Sequence, residues 1–335
     1  MMKLISGIFA ALATMVGLAS AEPPPASSVA PKNLREGSLF PEVIFYYAPD
    51  PATPPREAMQ KAVEKEMKGI PILHEYPPKI DPPFIVLTDE TAPLKRYPVP
   101  NTGYLQHSGH GLSDEDHQAI QTSSRASCAV LFNTRDGQWQ RAKAFNNVAH
   151  VFAVETKAHI WDSATRECFH RDAWKKRRID GWGDREIPDL RSQIAIHRYP
   201  KLDAGYFRSV TRGMGKFGLY DVVIERSADS EAAAASNLMQ VFCQTIAANP
   251  VLEAPLRTPI SIESLPPQVA KSYREGMFKN GTGKAELAIM RGAYDQGNED
   301  PDNELVEFDF RYGKGNTDDE RRAELLKRFW GSQDK

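Results

Sequence analysis

The densest grouping of residues able to do chemistry is His107-Ser-Gly-His110-Gly-Leu-Ser-Asp114-Glu-Asp116-His117, which holds three of the chain's eight histidines. Two imidazoles three apart in a polar loop, followed by a carboxylate and a third imidazole on the first turns of a helix, are donors that zinc or copper accepts. His107, His110, Asp114 and His117 are therefore the candidate metal ligands, and a metal-dependent hydrolase is the enzymatic reading they allow. Their spacing follows no established metal signature. The competing reading is a solvated loop entering a helix whose acidic first turn complements its dipole, with no cofactor.

A second grouping is Lys175, Lys176, Arg177 and Arg178, flanked by Trp174 and Trp182. Basic and aromatic residues interleaved in this way suit a polyanion. Four consecutive charges cannot all face one way, so a solvated helix edge competes with an anion patch. Gly213-Met-Gly215-Lys-Phe-Gly218 has the letters of a dinucleotide-binding loop, but that loop needs a helix opening from it. Here Leu219 to Ile224 reads as another strand, so the glycines are expected to make a hairpin turn or tight sheet packing. Gly281-Thr-Gly283-Lys284 lacks the first Gly and the Ser or Thr of a phosphate loop and reads as a turn.

Nucleophile signatures are missing: there is no Gly-x-Ser-x-Gly, no His-Glu-x-x-His, and no loop cysteine beside a base. Cys128, Cys168 and Cys243 fit no metal spacing; Cys128 with Cys168 would be the pair if a disulfide formed, and inert core thiols are the alternative. Trp161-Asp162 after one strand and Thr211-Arg212 before the glycine turn put polar groups at sheet ends, where structural duty is the default. No catalytic residue is assigned. The reading is a non-enzymatic binding module whose partner is a protein or a cell-envelope component.

The central strand and helix, Ile160-Trp161-Asp162, and Thr211-Arg212-Gly213-Met214-Gly215-Lys216-Phe217-Gly218 followed by Asp221 resemble uncharacterised bacterial domain families of unknown function, over residues 125–249. What the resemblance implies is a bacterial α+β domain, with no activity to carry over.

The elements that must position these groups are organised around residues 125–161. Cys128 to Phe132 is an apolar run closed by Asp136-Gly137, as in a buried strand, and Trp139, Ala142, Phe145, Val148, Ala149 and Phe152 share one helical face. Ala158 to Trp161 returns as a strand. Upstream, Val43–Tyr47 and Phe84–Leu87 read as strands, and a helix capped by Thr53 carries Met59, Val63 and Met67. Asn101 to Gly111 reads as a loop; Ser113 with Asp116 is a capping box. Downstream, strands are expected at 194–199, 206–211, 221–225, 286–290 and 305–310, with helices starting near Asp229 and capped by Thr317. Early strands alternate with helices and later ones form hairpins. That order predicts an α+β fold with a mixed or antiparallel sheet, and ferredoxin-like units are possible in it. Pro250, Pro255 and Pro259 suggest a boundary between a main domain, 41–250, and a smaller one, 251–335.

Composition adds the compartment. Lys3, the apolar Leu4 to Leu18 and Ala19-Ser20-Ala21 form an export signal cut after Ala21, the apolar run of roughly 15 residues falling short of a membrane span. Of 25 prolines, 17 precede residue 101, and residues 22–40 read as a flexible leader. A periplasmic or secreted chain with no span in its mature part is expected. A net charge of -2 gives no global attraction to nucleic acid, and none is expected as a partner.

Overall fold

The computed structural model describes residues 33–35, 39–48, 51, 53–77, 79–253, 257–295 and 300–332. The export signal and most of the leader lie outside the described residues. Eight helices and thirteen strands are described, the strands in two mixed sheets of seven and six, so the fold is α+β with helices packed on sheets.

The first sheet contains β1 (Glu42–Tyr47), β2 (Ile72–Leu73), β3 (Phe84–Thr91), β4 (Gly109–His110), β5 (Arg125–Phe132), β6 (His159–Asp162) and β7 (Glu167–Phe169), in the order β2-β3-β5-β1-β6-β7-β4. Four consecutive strands within it, β3-β5-β1-β6, are antiparallel. Helix α1 (Pro55–Glu66) carries the chain from β1 past β5 toward β3, and α4 (Gln138–Thr156) carries it from β5 past β1 to β6. These interleaved crossovers are the ferredoxin-like arrangement. The two helices bury Met59, Val63, Phe145, Val148 and Phe152 on one face of the sheet, where the Phe45 and Phe152 rings sit 4.2 Å apart. The other face is covered by residues 92–124, which include α2 (Thr102–Ser108) and α3 (Asp114–Gln121). Both faces of β5 are therefore dry, which is why its sequence is a continuous apolar run.

The second sheet joins two antiparallel meanders. β8 (Ala195–Pro200), β9 (Tyr206–Arg212) and β10 (Asp221–Ala228) form one, and β11 (Thr258–Ser261), β12 (Lys284–Arg291) and β13 (Leu305–Asp309) the other. Parallel pairing of β10 with β13 makes them one sheet. Helices α6 (Ala232–Ala248), α7 (Pro267–Gly276) and α8 (Asp318–Trp330) bury its apolar side.

Several expectations are corrected. The strands after Pro250 complete the sheet begun at β8, so the division between sheets falls between Phe169 and Ala195 and not at 250. The leader is not flexible to residue 40: Leu34 is wholly buried, donates its N–H to Pro250 O at 3.0 Å and accepts from Tyr220 N–H at 3.2 Å. Helix α1 starts one residue late, with Pro54 in the cap position and no side-chain cap. Residues 102–108 are helical because Asn101 caps Tyr104 N–H. The Ser113–Asp116 capping box is present with both of its bonds. All three cysteines are free and buried.

Candidate functional site

The histidine loop is split by the structure. His107 and Asp114 are exposed, while His110 turns inward from β4 and its Nε2 lies 2.8 Å from Glu167 Oε1. Asp116, three residues into the capped helix, meets His159 Nε2 at 2.7 Å; its carboxyl, raised by desolvation but lowered more by the Ser113 backbone and by His159, sits at about 2. His117 takes part in neither contact. Among the described residues no three His, Cys, Asp or Glu side chains gather as a metal site. Of the loop's side chains, His110 and Asp116 instead fasten residues 92–124 to the sheet.

The basic stretch is split as well, by backbone geometry. After the short α5 (Arg171–Trp174) the chain continues as a π-helical turn over Lys175–Asp180, which advances each side chain by less than an α-helix would. Arg178 is thereby turned fully inward, Arg177 is half-buried against Glu167 at 3.1 Å, and Lys175 pairs with Asp180 at 2.7 Å. Lys176 stays exposed. The four do not share a face.

The site that the structure does build lies where the sheets meet, and its centre is Asp162 at the end of β6. Arg178 reaches its Oδ2 with Nε at 3.1 Å and Nη2 at 2.8 Å, and Lys216 Nζ reaches the same oxygen at 2.8 Å. Arg178 also donates to Glu167 Oε2 at 2.7 Å, Thr165 Oγ1 at 2.9 Å and Ser192 O at 2.5 Å. Lys216 completes its set on Gln193 O at 2.7 Å. The Arg178 guanidinium rests 4.8 Å from the Phe169 ring centre, a cation–π contact that costs little desolvation.

Lys216 arrives on a single 3₁₀ turn, Met214–Phe217, between β9 and β10. Gly213 before it has φ 109°, a left-handed conformation, and a Cβ there would stand 2.8 Å from Thr165 Cγ2 and 3.3 Å from Lys216 Cε. Glycine is thus required twice, for the backbone angle and for the close passage of the lysine stem. The tight-packing reading of these glycines holds, and the hairpin connection is present. Beside the ionic cluster the same turn makes an apolar joint: Phe217 stacks on Trp139 of α4 at 4.6 Å, and Gln138 Nε2 donates to Phe217 O.

Electrostatics follow from this enclosure. Burial pushes the Asp162 carboxyl up, but Lys216 and Arg178 overcome it and hold it below the usual carboxylate range. Burial drags the Lys216 ammonium down to about 8, Asp162 opposing and Arg178 assisting the fall. Glu167 is pushed up by burial and carried well below its ordinary value by Arg178, His110 and Arg177. A second buried carboxyl, Asp221, accepts from three neutral donors: Thr211 Oγ1 at 3.0 Å, Met214 N–H at 3.2 Å and Asn303 Nδ2 at 2.7 Å. Burial raises it to about 6, with those three donors and the nearby Arg212 charge opposing. The predicted sheet-end groups Asp162 and Thr211 therefore do have structural duties. Arg178 and Lys216 are not legible in the sequence as partners of Asp162, because they lie 16 and 54 residues from it with no local periodicity to join them.

Comparison of the chain with protein-family models, with curated proteins and with solved structures finds no match in any of the three.

Proposed function

We propose that the chain is an exported, non-enzymatic binding module whose partner is a protein or another component of the cell envelope. One observation carries the reading: the ionisable cluster at the junction of the sheets faces inward, and its members are satisfied by one another. The side chains of Asp162, Arg178, Glu167 and Lys216 are 1%, 0%, 7% and 9% exposed, and each has two or more charged or polar partners. An acid or base that turns over substrate needs a face open to it; this cluster joins two sheets. The hydrolase alternative has lost its ligand set, since His107, His110, Asp114 and His117 are not gathered. No helix among the described residues is long and apolar enough to cross a membrane.

Two measurements test the proposal. Sequencing the mature N-terminus from fractionated cells is expected to give Glu22 in the periplasmic or secreted fraction; a cytosolic chain retaining Met1 removes the export half. Crosslinking in intact cells is expected to capture one envelope component at fixed stoichiometry. A chain that captures none, yet carries stoichiometric zinc or copper by elemental analysis, fits the hydrolase and overturns the module.

A further inference from the structure

Near the ionic cluster the two sheets and the covering segment meet again, at residues of which only Thr165 also belongs to that cluster. Tyr104 of α2 lies against Trp161 of β6, ring centres 5.6 Å apart at 55°. The β6–β7 turn contributes Arg166, held in a left-handed conformation, and Thr165, whose carbonyl is 2.9 Å from His197 Nε2 on the edge strand β8. His197 and Tyr199 stand together on β8, ring centres 6.2 Å apart, and Arg212 at the end of β9 forms the floor at 4% exposure. The charges of Arg166 and Arg212 are close enough to act on each other and on the Tyr104 phenol, and Tyr199 acts on Arg212. They also help burial hold the His197 imidazole neutral, at about 4.

One atom here has no internal role. The Tyr104 hydroxyl is enclosed and has no hydrogen-bond partner; Ser108 lies near it without bonding geometry. A buried hydroxyl left unsatisfied costs roughly 1–3 kcal/mol, and such groups in native structures call for an explanation. We propose that this junction binds a small ligand that carries a planar ring and an oxyanion, carboxylate or phosphate. The ring lies on Trp161, and the oxyanion accepts from the Tyr104 hydroxyl and from the guanidinium groups of Arg166 and Arg212. Both arginines hold other contacts as well, and a guanidinium with five donors serves more than one acceptor. Arg166 is half-buried on the β6–β7 turn, its N–H donating to Asp162 O at 2.8 Å. The neutral His197 leaves the anion's charge to the two guanidiniums. The proposal does not depend on export or on the identity of the envelope partner.

The test is calorimetric titration of the full mature chain with phenyl phosphate, and separately with inorganic phosphate. Phenyl phosphate is expected to bind saturably and more tightly than inorganic phosphate. Tyr104→Phe, which removes only the orphan hydroxyl, is expected to weaken phenyl phosphate roughly tenfold or more, the worth of one hydrogen bond to a charged acceptor. Its thermal midpoint should match or exceed that of the native chain, because no bond is lost on folding. Arg166→Gln should weaken binding to a similar degree and flatten its salt dependence. No saturable phenyl phosphate binding up to about 10 mM, a range that reaches beyond the ~4 kcal/mol of a millimolar complex, overturns the proposal. Equal binding by a folded Tyr104→Phe chain overturns it too. Equal affinities for the two probes overturn the ring contact with Trp161.

Discussion

Asp162 and Asp221 are both 1% exposed, and one short turn serves both: Lys216 of the turn reaches Asp162, while Met214 N–H at its start reaches Asp221. Their electrostatic fates are opposite. Asp162 has two cations on one oxygen and stays ionised; Asp221 has a hydroxyl, an amide N–H and a carboxamide, and its affinity for a proton rises to about 6. Burial is the first influence on each. The lesson is that three neutral donors, even with the Arg212 charge nearby, do not offset desolvation of a carboxylate, whereas two cations bonded to one oxygen do.

The strongest way to break this comparison is Asp162→Asn, which leaves Arg178 and Lys216 facing each other without their shared carboxylate. Urea unfolding at pH 7 should show a loss of about 3–5 kcal/mol. The native carboxyl is held below its unfolded value, so its contribution is present above about pH 4 and fades as pH falls through the folded value. The penalty of the variant should accordingly shrink in acid. A loss under 1 kcal/mol would mean that the cluster contributes nothing net. Next in size is Gly213→Ala, which adds a Cβ against Thr165 and strains a positive φ; a loss of about 2–3 kcal/mol is expected by the same measurement.

Asp221→Asn sharpens the other side. The folded carboxyl at about 6 lies above its unfolded value of 3.8, so the native fold favours the protonated form. Stability from this group is full below about pH 4 and declines as pH rises through about 6. Relative to the native chain, the Asn variant should therefore gain about 1–3 kcal/mol between pH 4.5 and 7.5. A difference that stays flat with pH would place Asp221 in the same class as Asp162. The smallest effect is expected for Lys176→Ala, the exposed member of the basic stretch, within about 0.5 kcal/mol.

What could be read from the sequence follows the range of the interaction. Helix α4 was legible because its apolar face repeats over five turns, and the Ser113–Asp116 cap because both of its bonds span three residues. Helix α2 looks like a loop in the sequence, since Leu105 is its one buried residue, too few to show a period. Strand β11 was missed because Pro259 lies within it, which only an edge strand tolerates. The inward turn of Arg178 depends on a π-helical step that leaves no mark in composition. The glycine turn was placed correctly as a turn, yet its role in bringing Lys216 to Asp162 required knowing which strands meet across 54 residues.

Leu34 gives the molecule an unusual dependence on its own beginning. It sits in the same core as Leu326 and Trp330 of the last helix, pinned by Pro250 and Tyr220. It plugs that core like a cork, and the cork is not final until the far end of the polypeptide has been threaded and folded around it. Removing Leu34 would leave a hole in that core, and Asn33 just ahead of it is itself bridged to Val251.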